Sequence, residues 1–181
     1  MESSFENIFN WNFKYVINNE HKLHQGEWIW YNYITKGKRE NEFKINFPFT
    51  SKLLDSFKGI LIENIPFSYS FYSLLKDKTE ISHHYGPCNI RLRIHLGIDI
   101  PENCKNHGSS CKIEICGQDY FWENGKTIIF DDTYIHSVIN KSGKTRVILL
   151  LDVWHPDLHE HEKHAIINIL EKGQSMINTK L

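Results

Sequence analysis

From Arg91 to Ile100 the chain alternates without a break. Arg91, Arg93, His95, Gly97 and Asp99 take one parity, and Leu92, Ile94, Leu96, Ile98 and Ile100 take the other. A period of two over ten residues belongs to a strand whose two faces meet different surroundings. The polar face carries two guanidiniums and an imidazole, chemistry that ordinarily looks out to water. Here it directly follows His83, His84 and a Gly-Pro turn, which suits the lining of an anion-binding cavity instead. Two later segments hold matching groups. FDDTYIH (130–136) brings a histidine and carboxylates, and KTRVILLLDVWHP (144–156) brings a further arginine.

The other segments read as scaffold. Residues 26–41, rich in tryptophan and tyrosine, predict a strand and a basic turn packed by aromatic rings. Thr50 or Ser51 is placed to open a short helix whose Leu53, Leu54 and Phe57 share one face, with Gly59 as the stop. SYSFYSLL (68–75) predicts a strand, 76–79 a polar turn, and 101–110 a loop. CKIEICG, FWENGKTIIF, HSVIN and TRVILLLDVW then follow as short strands between turns. Asp157 is placed to cap a last helix to about Lys172, with Ala165, Ile166, Ile169 and Leu170 as its apolar stripe and Gly173 as its end. Many short strands with one apolar parity predict a mainly β, jelly-roll architecture with a few flanking helices. At 181 residues with no repeat or linker, the expectation is one domain over 1–181.

A net charge of -1 argues against a nucleic-acid partner. No apolar run approaches the roughly 20 residues that cross a bilayer, and the N-terminus lacks the basic and apolar regions of a signal peptide. The expectation is a soluble, cytoplasmic protein without a membrane partner, with its four cysteines as reduced thiols. A zinc site on Cys104, His107, Cys111 and Cys116 would need a spacing that matches no familiar finger, and HEKH (161–164) is not HExxH.

His84 and His136, on different strands of a jelly roll, are the candidate metal pair. Neutral imidazoles suit iron(II), and so few protein ligands leave positions for a co-substrate and dioxygen. The alternative for each histidine is an ordinary core or surface residue. The 140–144 turn is expected to fold one strand back on the next, and Arg146, ten residues after His136, has matching parity about it. Both side chains are expected to face one interior, one or two strand spacings of ~5 Å apart. A dicarboxylate could then reach the metal at one end and the guanidinium at the other.

HHYGPCNIRLRIHLG, WENGKTIIFDDTYIHSV and RVILLLDVWHPDL together resemble the aspartyl/asparaginyl β-hydroxylase family, and GEWIWYNYITKGKREN is similar to a weaker upstream segment of it. The resemblance is strongest over 26–158. It implies a double-stranded β-helix fold and hydroxylation driven by Fe(II), 2-oxoglutarate and O2. It implies His84 and His136 as metal ligands, with Gly86 standing where related oxygenases carry a carboxylate, and Asp132 beside a metal-bound water. It implies Arg146 and Ser73 on the distal carboxylate of 2-oxoglutarate, His95 near that co-substrate, and Arg91 and Arg93 in substrate recognition. Family members acting on peptides carry a polar residue near Trp30 and a lysine near Phe71 on the substrate side, and aromatic rings stand there in this chain.

The expected substrate is anionic, most directly an Asp or Asn residue of a peptide or protein, because two buried arginines facing the cavity would demand a counter-charge. The alternatives are a free amino acid or other small acid, or a non-catalytic metal-binding module. Pairing of the arginines with internal acids such as Asp99 or Glu114 would remove that demand.

Overall fold

The computed structural model describes residues 16–17, 23–105 and 111–178. Twelve strands among them, with three α-helices, make two facing antiparallel sheets. The strands are β1 (Val16–Ile17), β2 (His24–Gln25), β3 (Trp28–Thr35), β4 (Lys38–Arg39), β5 (Tyr69–Leu75) and β6 (Thr79–His84). They continue with β7 (Arg91–Asp99), β8 (Cys111–Ile115), β9 (Gln118–Tyr120), β10 (Thr127–Phe130), β11 (His136–Asn140) and β12 (Arg146–Trp154). The larger sheet runs β1-β3-β5-β12-β7-β10 with β4 paired to β3, and the smaller runs β2-β6-β11-β8-β9. The protein is thus mainly β, in the jelly-roll arrangement expected from the turn-separated strands.

From β6 onward the chain mostly changes sheet at each connection. β6, β8, β9 and β11 lie in the smaller sheet, and β7, β10 and β12 in the larger. This corrects one expectation. The turn after Asn140 does not fold β11 onto β12 as a hairpin. β11 pairs with β6 and β8, while β12 pairs with β5 and β7. The matching parity of His136 and Arg146 therefore makes them face one another's sheet across the interior.

β12 is buried along its whole length, which accounts for its near-continuous apolar run. β7 lies beside it, covered on both sides. Its Leu92, Ile94, Leu96 and Ile98 pack on an outer cluster with Tyr31, Tyr33, Phe43, Leu54 and Tyr72, while the Arg91–His95 parity turns inward between the sheets. At Gly97 a Cβ would stand 2.1 Å from the Glu123 carbonyl, so only glycine lets the 123–126 segment cross the strand there.

The helices depart from the sequence reading in detail. α1 (Asn41–Asn46) was not foreseen, and α2 (Pro48–Asp55) starts at a proline, the residue suited to a first helical turn, without a Thr50 or Ser51 side-chain cap. α2 buries Leu54 but leaves Leu53 exposed, because α1 supplies Phe43 to the same face of the sheet. α3 (Glu160–Asn178) begins at the turn where Glu162 accepts from the His159 N–H at 2.8 Å, and it continues through Gly173. Its buried stripe is Ile166, Ile167 and Leu170 against Trp154, Ile62 and Ile65, whereas Ile169 faces out. No helix among the described residues is long and apolar enough to cross a membrane.

The thiols also differ from expectation. Cys104 and Cys111 form a disulfide in the inner core, and Cys88 and Cys116 are free. That pairing removes two donors of the zinc reading, whose His107 lies outside the described residues.

Candidate functional site

The inward face of β7 and the facing strands line a narrow cavity that opens to solvent. Trp28, Ser73, Arg93, His95, Phe130, Ile148, Leu150 and Arg146 line it from the larger sheet, and Ile81, His84, His136 and Val138 from the smaller. Six of the residues singled out from the sequence meet here: His84, His136, Arg146, Ser73, His95 and Arg93.

His84 and His136 are cross-strand partners of β6 and β11, with ring centroids 4.0 Å apart. Each donates from Nδ1 to a backbone carbonyl two residues earlier in the chain, His84 to Ser82 and His136 to Tyr134, both at 2.8 Å. Those bonds assign the proton to Nδ1 and the lone pair to Nε2 in each ring. Burial, helped by the neighbouring His84, pushes the His136 pKa down to about 4, so the ring is neutral at physiological pH. Two imidazoles oriented by these bonds fit a divalent transition metal. No cluster of three or more His, Cys, Asp or Glu side chains among the described residues would complete such a site from protein alone.

The opposite end of the cavity holds a buried guanidinium, Arg146. Arg146, 1% exposed, has no carboxylate partner among the described residues, and its Nε–H is unsatisfied. Burial lowers its pKa to about 9, leaving the guanidinium charged at neutral pH. Its contacts are with uncharged groups. Nη2 donates to Ser73 Oγ at 3.1 Å, and the guanidinium carbon lies 4.7 Å from the Trp122 ring centroid. Ser73 Oγ also accepts from Trp28 Nε1 at 2.8 Å, so its lone pairs are engaged and its hydroxyl hydrogen remains as a donor. His95 adds another donor. Trp122 Nε1 donates to its Nδ1 at 3.4 Å, which leaves the proton on Nε2, buried and without a partner. Burial, then the positive charges of Arg146 and Arg93, push the His95 pKa well below its ordinary value.

Arg91 and Arg93 behave differently. Both are paired to two fully buried acids, Asp132 and Asp152. Arg91 holds both oxygens of Asp132 through Nε and Nη2, reaches Asp152 at 3.1 Å, and donates to the Phe67 carbonyl. Arg93 grips Asp152 at 2.8 and 3.1 Å and lies 3.4 Å from Asp132. Burial alone would raise the Asp132 pKa, but Arg93 and Arg91 outweigh it and hold the carboxyl below its usual range. The counter-charge expected from a substrate is therefore supplied by the chain, through acids other than Asp99 and Glu114. Glu114 instead takes His83 at 3.1 Å. Arg91, 2% exposed, lies beneath the cavity wall, and of the pair only Arg93 reaches the lining.

Asp132 also lies outside the lining, but it stands against the metal pair's loop. A Cβ at Gly86 would fall 2.4 Å from the Asp132 carboxylate, and the Gly86 N–H donates to the Asp132 carbonyl at 2.5 Å. Any side chain two residues after His84 is thus excluded by the acid already in that space. Trp30 and Phe71 stack at 4.2 Å in the inner core next to the cavity and are not part of its lining.

Trp28, Trp122 and Asp152 were missed by the sequence reading. Trp28 shares its parity with Trp30, and Asp152 is the lone acid of an apolar strand with the parity of Arg146. Both signals are present in the sequence.

A family profile described as Aspartyl/Asparaginyl beta-hydroxylase matches residues 3–156. Among similar proteins, the mouse aspartate beta-hydroxylase domain-containing protein 2 is 30% identical over 82% of this chain and 42% of its own length. The human aspartyl/asparaginyl beta-hydroxylase is 31% identical over 84% of this chain and 19% of its own. An ornithine lipid ester-linked acyl 2-hydroxylase from Rhizobium tropici is 34% identical over 52% of this chain and 33% of its own. The chain thus spans less than half the length of these relatives. Among solved structures, a predicted oxalate decarboxylase from Thermotoga maritima is similar with a TM-score of 0.47 at 10% identity, over 78% of this chain and 91% of that one. Taken with the profile match over most of its length, the identities show that this chain belongs to the aspartyl/asparaginyl β-hydroxylase family.

Proposed function

We propose that this chain is an Fe(II)- and 2-oxoglutarate-dependent hydroxylase. The observation that carries the reading is the buried, uncompensated guanidinium of Arg146, flanked by unsatisfied donors and sharing one cavity with the His84/His136 pair. A buried cation without a counter-ion is costly, and a dicarboxylate spanning the cavity relieves that cost. In this reading His84 and His136 would hold the iron, which with 2-oxoglutarate would supply dioxygen activation: the co-substrate would leave as succinate and CO2, one oxygen atom of O2 entering the succinate and the other the substrate. Arg146 neutralises the distal carboxylate, Ser73 and His95 donate hydrogen bonds around it, and the backbone carbonyls of Ser82 and Tyr134 keep both imidazoles in the ligating tautomer. Phe130, Ile148 and Leu150 keep water from the enclosed end. Asp132, held ionised by the arginines, fills the space a side chain at Gly86 would need and would place a carboxylate beside the loop of the metal pair.

The names of the relatives support an Asp or Asn residue of a peptide or protein as substrate. A second reading is a free amino acid or other small acid. Aromatic rings stand at Trp30 and Phe71 where the peptide-hydroxylating members carry polar groups, and their stack packs in the core beside the cavity without offering it a polar group. The test is succinate release from 2-oxoglutarate with Fe(II), comparing Asp- and Asn-containing peptides with free amino acids. Peptide-driven release is the expected result, and release driven only by free amino acids selects the second reading. Absence of 2-oxoglutarate binding by calorimetry on the Mn(II)-loaded protein would overturn both.

A further inference from the structure

Asp152 is fully buried on β12, in a strand that is otherwise apolar from Val147 to Trp154. Such an acid is retained at a cost in desolvation, so its contacts state what it does. Its carboxylate is anchored by the Tyr69 N–H of the neighbouring strand at 3.0 Å. From there it holds Arg93 through Nε at 2.8 Å and through Nη2 at 3.1 Å, and Arg91 through Nη1 at 3.1 Å. The remaining edge of Arg91, Nε and Nη2, is spent on both oxygens of Asp132. A guanidinium is planar and rigid, so Asp152 and the Phe67 carbonyl, both on Nη1, together set the plane in which the Nε/Nη2 edge presents itself to Asp132. Asp132 in turn fills the volume that a side chain at Gly86 would need, two residues after His84. The contacts form one continuous run from the Tyr69 backbone through Asp152, Arg91 and Asp132 to the loop carrying His84.

We infer that Asp152 is the positioning residue of the metal centre: acting through Arg91, it sets the place and charge of Asp132 beside the two histidines. The inference rests on the iron-binding reading of His84 and His136. Asp152 does not line the cavity, so any role it has there is exerted through Arg91 and Arg93. It also balances charge, because without it two guanidiniums would share the single carboxylate of Asp132, and Asp132 would be drawn toward Arg93 and away from Gly86.

The probe is Co(II) alone, titrated into the metal-free full chain and followed by its visible ligand-field spectrum. Asp152→Asn should weaken Co(II) binding roughly 10- to 100-fold, the range for residues that orient metal-site groups from behind. It should also shift the visible bands, which a loss of global stability alone does not do. Asp132→Asn should show a similar loss, and the Asp132→Asn/Asp152→Asn double variant should be no weaker than the weaker single one, since both act through one carboxylate. Because Asp152→Asn leaves an arginine unbalanced, the paired Arg93→Gln/Asp152→Asn variant, with one charge of each sign removed, is titrated as well. Wild-type affinity and spectrum in either folded Asp152 variant, or strictly additive losses in the double variant, would overturn the inference. Separate controls report on its foundation. If His84→Ala and His136→Ala also bind Co(II) normally, the iron-binding reading itself falls. If they lose binding while Asp152→Asn keeps it, only the role of Asp152 falls.

Discussion

Two buried arginine systems sit on the inner face of the same sheet, and they are built on opposite principles. Arg91 and Arg93 are matched one to one with Asp132 and Asp152, four charges that sum to zero without help from any ligand. Arg146, at the far end of the same β12 strand as Asp152, has no acid partner among the described residues, only a hydroxyl, a tryptophan face and an unsatisfied Nε–H. The first arrangement holds the fold and a carboxylate in place. The second stores an unmet demand for a negative charge. Arg91 and Arg146, one residue type at nearly equal burial, thus differ in whether the chain supplies the counter-charge.

The contrast breaks or sharpens under substitution. The largest effect is expected for Arg91→Ala, which strands Asp132 and Asp152 with one partner between them. Urea unfolding of the metal-free protein should show a loss of about 3–5 kcal/mol, the cost of breaking a buried ion pair from one side. A loss under ~1 kcal/mol would mean that water already serves those acids.

Arg146→Ala should do the reverse. Stability should change by no more than about 1 kcal/mol, because the lost hydrogen bond to Ser73 is offset by removal of an unbalanced buried charge. Affinity for 2-oxoglutarate, measured by calorimetry, should fall by about 2–5 kcal/mol, roughly 30-fold or more. Arg146→Lys should recover only part of it, since an ammonium lacks the two-pronged geometry. If Arg146→Ala costs as much stability as Arg91→Ala while leaving 2-oxoglutarate affinity unchanged, the two systems are not different in kind.

The smallest effect sharpens the receptive end. Trp28→Phe keeps an aromatic ring in the wall but removes the donor that engages Ser73 Oγ at 2.8 Å. Co-substrate affinity should drop by about 1 kcal/mol, close to fivefold, as Ser73 becomes free to turn. No change would show that Arg146 alone orients the hydroxyl.

Much of this was legible in the chain. The Arg91–Ile100 alternation gave the strand, its two unlike faces and its inward polar side, because a period of two is a local property. His136 and Arg146 could be set on one interior by parity and spacing about the 140–144 turn. What the sequence concealed was partner choice. Whether Arg91 and Arg93 face a substrate or an internal acid depends on which strands become neighbours, and β7 meets β12 and β10 only after the chain has changed sheets several times. Asp132 and Asp152 are 41 and 61 residues from Arg91, a separation that no local pattern encodes. The α3 stripe was misjudged for a similar reason. Ile167 and Ile169 are alike in the sequence, and the position of Trp154 decides which of them is covered.

The alternation of strands between sheets has a kinetic corollary. His84, His95, His136 and Arg146 come from four strands, each separated from its pairing partners by loops or whole elements, and no contiguous fragment shorter than Trp28–Leu150 contains the cavity lining. Closing such contacts requires loop entropy to be paid in advance, so a chain of this topology is expected to fold on the millisecond-to-second scale of β-sandwiches instead of the microsecond scale of helical bundles. The donors around Arg146 are brought together only when β12, the last strand, enters between β5 and β7. During synthesis the receptive end is therefore completed only after residue 154 is available for pairing, and an incomplete chain ending before β12 holds both histidines yet lacks the guanidinium that would admit a dicarboxylate.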